Sequence, residues 1–330
     1  MATIYEVAAL AGVSPATVSR VVNGVRVSEE KAKLVRQAAA ELRFTPNRTA
    51  RTLRRQNSEV IALVLPDIEN PYFTSMARGV EDAAQAAGYS VVLCNTDEDP
   101  AKEAKYLEIA ISENMAGVIL APASDHSDLR DLMGRGRPVV AVDRSTGFDI
   151  DGVMMDNRQA GISATRSLAD AGYRRIACIT GPRDIETSKQ RSDGWREVVS
   201  EHNQFENPDD YLRFSTFRVD GGRSAIHDLL ALSEPPDAVV ATNNLMGVGA
   251  LQLLTEVGLT PPKFGVAVVG DLPFTTLSPT AVTIVKLPAR HMGTTAAKML
   301  IERINGDTQP SRTVVLRNEL VTATTPLVAS

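Results

Sequence analysis

The chain has 330 residues, of which 43% are hydrophobic, so it can fill two or three compact cores. No apolar run approaches the roughly 20 residues of a membrane span, and the chain begins with a polar helix signal. We therefore expect a cytoplasmic protein with no secretory leader and no membrane partner. Cys94 and Cys178 lie in short apolar runs, where we expect buried thiols and no disulfide, metal site or cofactor.

Basic residues are concentrated at the N-terminus, although the whole chain has a formal charge of −5. Residues 1–58 contain ten Lys/Arg and four Glu, a charge of +6, whereas residues 59–330 contain 25 basic and 36 acidic residues, a charge of −11. A basic segment attached to an acidic body is typical of a DNA-binding module, because the segment can neutralise phosphates while the body stays off the duplex.

Residues 3–22 predict two short helices joined by a tight turn. Thr3 and Glu6 have the spacing of a capping box, and Gly12 supplies the turn. Ser14 is the expected cap of the second helix, and Pro15 suits its first turn because the missing amide hydrogen has no partner there. This pattern is typical of a helix-turn-helix.

A third helix is predicted after Ser28, its expected cap. Acids at positions 29 and 30 fall in the first turn, where the helix dipole favours them. Its apolar face is expected to complete one small core with the first two helices, and that face comprises Leu34, Val35, Ala38 and Leu42.

The second helix is expected to present small and polar side chains outward, and the N-terminal end of such a helix reads bases in the major groove. Arg20 suits a bidentate contact with guanine, and Pro15 and Ala16 suit a thymine methyl group. Thr17 and Ser19 suit phosphate oxygens. From spacing alone, the alternative is a three-helix bundle with a solvated basic face.

From residue 59 onward, short apolar runs alternate with helical segments. Buried strands are predicted at residues 60–65, 90–94, 117–120, 139–142 and 152–155, and a second series at 175–179, 211–214, 238–241 and 266–269. Repeated strand–helix units of this kind predict doubly wound parallel sheets, and two series predict two α/β lobes.

Polar residues follow several of these strands, and ligands of doubly wound sheets bind beyond the ends of the strands. These residues are 67–73, 143–144, 191, 243–244 and 271. Carboxylates and amides suit pairs of hydroxyl groups, an arginine suits a ring oxygen, and an aromatic ring suits the C–H face of a sugar. The set therefore predicts a polyhydroxylated ligand. Taken singly, each of these residues is explained equally well as a cap or turn residue.

The segment Thr3-Ile-Tyr-Glu-Val-Ala-Ala-Leu-Ala-Gly-Val-Ser-Pro-Ala-Thr-Val-Ser-Arg-Val-Val-Asn-Gly24 resembles the signature of the lactose-repressor (LacI/GalR) family of bacterial regulators. The likeness extends to residue 55 and implies that residues 46–58 form a hinge helix that folds on DNA and inserts Leu53 into the minor groove. A helix of about two turns is too short to be stable alone, and an apolar wedge among arginines is the usual minor-groove design. The alternative is a flexible basic linker.

The residues expected to contact DNA are Thr3, Ser14, Pro15, Ala16, Thr17, Ser19, Arg20, Asn23, Asn47, Thr49, Ala50, Arg51 and Leu53.

The body resembles the periplasmic-binding-protein-like core of the same family. That fold crosses between its lobes three times, here expected near residues 156–160, 287–289 and 318–320. The resemblance implies a helix-turn-helix domain (1–45), a hinge helix (46–58) and a core (59–330). The first lobe of that core is expected at about 59–158 and 289–318, and the second at about 159–287 and 320–330.

Several short segments resemble ligand-binding elements of that family: Asn70-Pro-Tyr-Phe73, Val142-Asp-Arg144 and Arg191-Ser-Asp-Gly-Trp195. The resemblance makes Arg191 the main effector-binding cation. Asn244 stands where the family usually has an acid, and the segment around Asp271 is two residues shorter than the family pattern. The expected effector contacts are Asn70, Tyr72, Phe73, Asp143, Arg144, Arg191, Phe217, Asn243 and Asp271.

Together these features predict a DNA-binding transcriptional regulator, most simply a repressor, that acts as a homodimer on double-stranded operator DNA with two-fold symmetry. A sugar or polyol bound between the lobes is expected to change the spacing of the two hinge helices. The C-terminal tail lacks an apolar heptad, so we expect no tetramer.

Two other functional classes are the alternatives to this function. An enzyme is not expected, because common catalytic motifs are missing from the sequence and the four histidines lack metal-ligand spacing. The alternative regulator is a global carbon-catabolite protein, whose co-repressor is a phosphorylated carrier protein that docks outside the cleft.

Overall fold

The computed structural model describes residues 2–22, 25–44, 58–124, 127–202, 205–272 and 281–323. The chain divides into two compact units, residues 1–58 and residues 59–330. The predicted hinge residues 46–57, which include Asn47, Thr49, Ala50, Arg51 and Leu53, lie outside the described residues, as does Asn23.

The N-terminal unit contains helices α1 (Ile4–Ala11), α2 (Pro15–Val22) and α3 (Glu29–Glu41). The capping box is formed, since the amide of Thr3 donates to Glu6 Oε2 over 2.7 Å and the amide of Glu6 donates to Thr3 Oγ1 over 3.3 Å. Gly12 ends α1 in the left-handed region at φ 61°, and its amide donates to the carbonyl of Ala8. Ser14 Oγ accepts from the amide of Thr17 at the start of α2. These residues confirm the predicted helix-turn-helix.

Among the described residues of this unit, small apolar side chains form the buried core: Val7, Ala8, Ala11, Val18, Ala32, Val35 and Ala38. The prediction for Leu34 was wrong, because 45% of this residue is exposed. Helix α3 buries residues at a spacing of three, and Leu34 is rotated about 100° away from that face. Ser28 precedes α3 but makes no side-chain hydrogen bond to its amides.

In the body, the strands are β1 (Val60–Leu65), β2 (Ser90–Asn95), β3 (Gly117–Leu120), β4 (Val139–Val142), β5 (Asp151–Met155), β6 (Ile176–Thr180), β7 (Leu212–Phe214), β8 (Ala238–Ala241), β9 (Gly265–Val269), β10 (Thr283–Lys286), β11 (Thr313–Leu316) and β12 (Glu319–Val321). The α-helices are α4 (Pro71–Ala86), α5 (Pro100–Ser112), α6 (Arg130–Gly134), α7 (Asn157–Asp170), α8 (Glu186–Glu201), α9 (Val219–Leu230), α10 (Asn244–Glu256) and α11 (Ala289–Ile304). A 3₁₀ helix spans Pro208–Tyr211.

These strands form two sheets, as the alternating pattern predicts. Each sheet has six strands, whereas the pattern predicted five strands in the first series and four in the second. The first lobe has the order β11-β5-β4-β3-β1-β2, and all of its strand pairs are parallel. The second lobe has the order β12-β10-β9-β8-β6-β7, in which only β12 runs antiparallel to its neighbour β10. The chain passes from one lobe to the other after β5, after β10 and after β11.

Glycines allow helices α7 and α8 to cross in backbone contact. A Cβ atom added to Gly161 would overlap the carbonyl oxygen of Arg191, and one added to Gly194 would overlap that of Arg158. The crossing therefore constrains the backbone of Arg191, whose side chain lines the site described below.

Candidate functional site

A cavity of about 250 Å³ lies between the two lobes of the body. Its first-lobe wall is formed by residues after β1, β2 and β4, and its second-lobe wall by residues after β6, β7, β8 and β9. This is the position in which doubly wound sheets bind ligands, because side chains beyond the carboxyl ends of parallel strands converge there.

On the first-lobe wall, the Tyr72 hydroxyl donates to Asp143 Oδ1 over 2.7 Å. Burial, followed by the nearby Asp143 carboxylate, raises the pKa of the Tyr72 phenol well above its ordinary value. The phenol therefore stays protonated and orients the carboxylate. Asp143 itself has a φ of 66°, a backbone conformation that a non-glycine residue adopts at a cost of order 1 kcal/mol or more.

Arg144 is buried beside Asp143, but its guanidinium is engaged within the first lobe. Nη1 and Nη2 each donate to a carboxylate oxygen of Glu98 over 2.7 Å, and Nη1 also donates to the carbonyl of Pro122 over 2.9 Å. Burial alone would lower the pKa of Arg144, but the paired Glu98 raises it. Arg144 therefore lines the cavity as the partner of Glu98, and both terminal nitrogens already have acceptors.

On the second-lobe wall, Arg191 is buried and has two neutral partners. Its Nε donates to Asn157 Oδ1 over 2.9 Å, and Nη1 donates to the carbonyl of Thr242 over 2.8 Å. Burial lowers the pKa of this guanidinium, and Asp143 of the opposite lobe counteracts that effect. In the described part of the chain, no hydrogen bond uses Nη2 of Arg191, so this nitrogen is available to a ligand.

Phe217 and Asn243 complete the second-lobe wall. The ring of Phe217 lies against Gly181, where an added Cβ atom would overlap the ring. Asn243 Oδ1 accepts from the amides of Leu245 and Met246 over 2.9 and 3.2 Å and so caps α10. Only its amide nitrogen is left to face a ligand.

Three polar contacts join the lobes around the cavity. Asn244 Nδ2 donates to Asn70 Oδ1 over 3.0 Å. Arg218 Nη1 lies 3.2 Å from Asp67 Oδ2 and 2.7 Å from Glu69 Oε2. A third contact joins Ser145, through its amide and hydroxyl, to Glu186 Oε2 over 2.7 and 2.8 Å. The two lobes are thus closed on the cavity.

Most of the residues expected to bind an effector line this cavity: Asn70, Tyr72, Phe73, Asp143, Arg144, Arg191, Phe217 and Asn243. Asp271 does not, because it follows Gly270 at a backbone turn with φ 105° and its side chain is exposed. Asp97 and Glu98 also line the cavity and were missed. They follow β2 closely, so examining the residues after this strand would have found them.

In the N-terminal unit, Thr3, Ser14, Pro15, Ala16 and Arg20 are exposed, and Thr17 and Ser19 are partly exposed. Val18 is fully buried between them, so α2 turns one face to the core and the other to solvent. Tyr5 on α1 is 72% exposed and is a further candidate for DNA contact that the sequence argument missed.

Two family descriptions match the chain, in adjoining segments. "Bacterial regulatory proteins, lacI family" matches residues 3–47, and "Periplasmic binding proteins and sugar binding domain of LacI family" matches residues 58–324. No helix within the described ranges has both the length and the apolar character needed to cross a membrane.

The chain is similar to known regulators along nearly its whole length. It is 35% identical to the ribose operon repressor of Escherichia coli K12 over 318 residues, which is 94% of each chain. A transcriptional regulator CelR–cellobiose complex is 31% identical, with a TM-score of 0.72 over 98% of this chain and 99% of that one. The lac repressor dimer bound to operator shares the fold, with a TM-score of 0.85 over the same shares at 24% identity.

Proposed function

Because the chain belongs to the LacI family of bacterial regulatory proteins, it is a DNA-binding transcriptional regulator controlled by a small-molecule effector, and we propose that this effector is a sugar or polyol held between its two lobes. The observation that carries the proposal is the pair of charged side chains on opposite walls. Asp143 comes from the first lobe and Arg191 from the second, and both are buried and held by neighbours in the same lobe.

Each group has a role that suits a polyhydroxylated ring. Asp143 accepts from a pair of hydroxyl groups, Arg191 donates from Nη2 to a ring or hydroxyl oxygen, and Phe217 offers an aromatic face to C–H groups. The amide of Asn243 donates a further hydrogen bond. The ligand is thus bound by polar groups from both lobes, and its binding free energy depends on their relative position.

Because ligand binding depends on the relative position of the two lobes, it can also control DNA binding. A ligand that bridges the lobes stabilises one lobe arrangement over another, and a homodimer transmits this difference to the two DNA-binding units on a two-fold operator. In the DNA-binding unit, we propose that Pro15, Ala16 and Arg20 read bases, and that Thr17 and Ser19 contact phosphates. The protein acts in the cytoplasm, where its DNA is, and binds the effector without turning it over.

The proposal is tested by two linked measurements on the purified full-length chain. Selection from a random DNA pool should return a two-fold symmetric site, and calorimetry with a panel of sugars and polyols should identify a ligand with one site per chain. That ligand should change the affinity for the selected DNA and be recovered unchanged. Binding of DNA only in the presence of a phosphorylated carrier protein, with no ligand in the panel bound, would instead support the carbon-catabolite alternative.

A further inference from the structure

We propose that the cavity selects a single uncharged ring and rejects the phosphorylated form of the same sugar. This inference rests on the proposed function, since it specifies the chemical class of the effector. It is carried by the pairing of the charged side chains on the cavity walls and by the cavity volume.

The charged side chains of the cavity are already balanced within the protein. Four carboxylates and three guanidinium groups line it: Asp67, Asp97, Glu98, Asp143, Arg144, Arg191 and Arg218. Two of the three arginines are neutralised directly, Arg144 by Glu98 and Arg218 by Asp67 and Glu69. Asp97 pairs with Lys102, which does not line the cavity. A phosphate group carries about −1.5 to −2 charges at pH 7, and it would meet walls whose charges are already paired rather than a cluster of free cations.

Arg191 is the remaining cation, and two of its five N–H groups are already used within the second lobe. Nε donates to Asn157 and one N–H of Nη1 donates to Thr242, so the fork formed by Nε and Nη2 is not available to a phosphate. Nη2 and the second N–H of Nη1 are left to donate to ring or hydroxyl oxygens. Asp143 faces the same space, so an added dianion would also be repelled by this carboxylate.

Two of the helix N-termini at the cavity, those of α4 and α10, are capped by side chains. Phosphates commonly bind the free amides at the start of a helix. Here Asn70 Oδ1 accepts from the amide of Tyr72 at the start of α4, and Asn243 Oδ1 accepts from two amides at the start of α10. At these two helices, side chains of the chain itself therefore occupy amides that a phosphate would use.

The volume sets the size of the ligand. Pockets for drug-sized ligands measure about 300–1,000 Å³, and this cavity of about 250 Å³ lies below that range. The lobes are joined by polar contacts on several sides, so a second sugar ring would have to break the contacts of Asn244 or Arg218. One ring with its hydroxyl groups is the ligand that fits.

Calorimetry with matched pairs tests the selection: ribose and ribose 5-phosphate, glucose and glucose 6-phosphate, and a disaccharide. We expect one neutral monosaccharide to bind, its phosphorylated form to bind at least 100-fold more weakly, and the disaccharide not to bind. A phosphorylated sugar or disaccharide that binds as tightly as the neutral ring would overturn this inference and leave the proposed function standing. If no sugar or polyol of any kind binds, both fail.

A variant that removes two carboxylate charges tests whether the pairing of Arg218 causes the rejection of phosphate. Asp67→Asn with Glu69→Gln releases Arg218 and keeps the side-chain shapes, so the ratio of phosphorylated to neutral affinity should rise at least tenfold. The matched control, Asp82→Asn with Glu256→Gln, removes two carboxylates that pair with arginines outside the cavity and should leave the ratio unchanged. If the first variant folds poorly, Glu69→Gln alone alters an exposed side chain and should raise the ratio in the same direction. An unchanged ratio in the folded variants would contradict the role assigned to Arg218.

Discussion

The side-chain amide of Asn244 in the second lobe donates to Asn70 Oδ1 in the first lobe over 3.0 Å, and both residues are buried. The same oxygen of Asn70 accepts from the amide of Tyr72 and so caps α4, while Asn244 is the first residue of α10. The bond thus joins the starts of two helices that belong to different lobes. It exists only when the lobes are closed on the cavity.

Replacing Asn244 with Asp should weaken effector binding at least tenfold. The acid has no N–H to donate, and its oxygen would face the oxygen of Asn70, at a cost of about 1–3 kcal/mol in the closed form. Helix α10 should not be weakened, because an acid is favoured in the first turn. Calorimetry with the effector measures the change. The control is Asn207→Asp at the start of the 3₁₀ helix, outside the cavity, and equal affinities for the two variants would refute the role of this bond.

Replacing Arg20 with Ala should lower affinity for the operator by about 1–3 kcal/mol and relax selection at one base pair in each half-site. Arg20 is exposed on the solvent face of α2, opposite the buried Val18. Anisotropy titrations against the selected operator and its single-base variants measure both effects. Arg223→Ala, in the second lobe, serves as a control for loss of one positive charge. An equal loss on every DNA sequence would show that Arg20 contacts only phosphate.

Replacing Gly161 with Ala should destabilise the body by about 1–3 kcal/mol and weaken effector binding, because the added methyl group would push α8, and with it Arg191, away from α7. Urea unfolding and calorimetry measure the two effects. Gly134→Ala is the matched control, since an added Cβ atom there meets no neighbour within 4 Å. Full effector affinity in the Gly161 variant would mean that the crossing does not position Arg191.

Replacing Asp151 with Asn should destabilise the first lobe by about 3 kcal/mol at pH 7. This value is near the lower end of the range for breaking a buried ion pair, because the partner Arg303 keeps some contact with solvent. Asp151 accepts two hydrogen bonds from Arg303, each 2.8 Å long, and one from the amide of Arg312. Burial alone would raise the pKa of Asp151, but these bonds hold it below the ordinary value of 3.8.

The sign of the pH dependence follows from that lowered pKa. The stabilisation is present above pH 3.8 and is lost as pH falls through the lower pKa of the folded state. The gap between wild type and Asp151→Asn in urea unfolding should therefore narrow at acidic pH. Asp128→Asn removes an exposed partner of Arg130 and should have a much smaller effect at pH 7, because solvent screens that pair. A gap that stays constant down to pH 2 would contradict this account.

The sequence patterns predicted most of the strands that are buried inside a sheet. Strands such as β3, β4 and β8 are fully buried in parallel sheets and appear as unbroken apolar runs. Strand β10 was missed although three of its four residues are buried, because its apolar run is short. Strands β11 and β12 were missed because they lie at sheet edges, are largely exposed and have apolar runs of only three and two residues. Helix α11 was missed because a glycine and two threonines interrupt its apolar pattern, and its partner α4 lies some 200 residues earlier.

The sequence predicted those residues of the site that lie after predicted strands. Asp143 and Arg191 occupy such positions, and the resemblance to a known family marked their motifs. The pairing of Arg144 with Glu98 could not be read from the sequence, because it joins two loops 46 residues apart. The bond between Asn244 and Asn70 spans 174 residues and depends on lobe closure. Contacts of this kind follow from the tertiary structure, which local patterns do not encode.

We propose that an effector held between Asp143 and Arg191 controls DNA binding. The direct test is an operator titration of wild type, Arg191→Ala and Arg191→Lys, each with and without the sugar identified by calorimetry. Arg183→Ala is the control, since Arg183 lies over the Phe214 ring and does not line the cavity. We predict that the sugar changes the operator affinity of wild type and the control, and that both Arg191 variants keep the affinity measured without sugar but lose the response. An intact sugar response in both Arg191 variants would contradict the account.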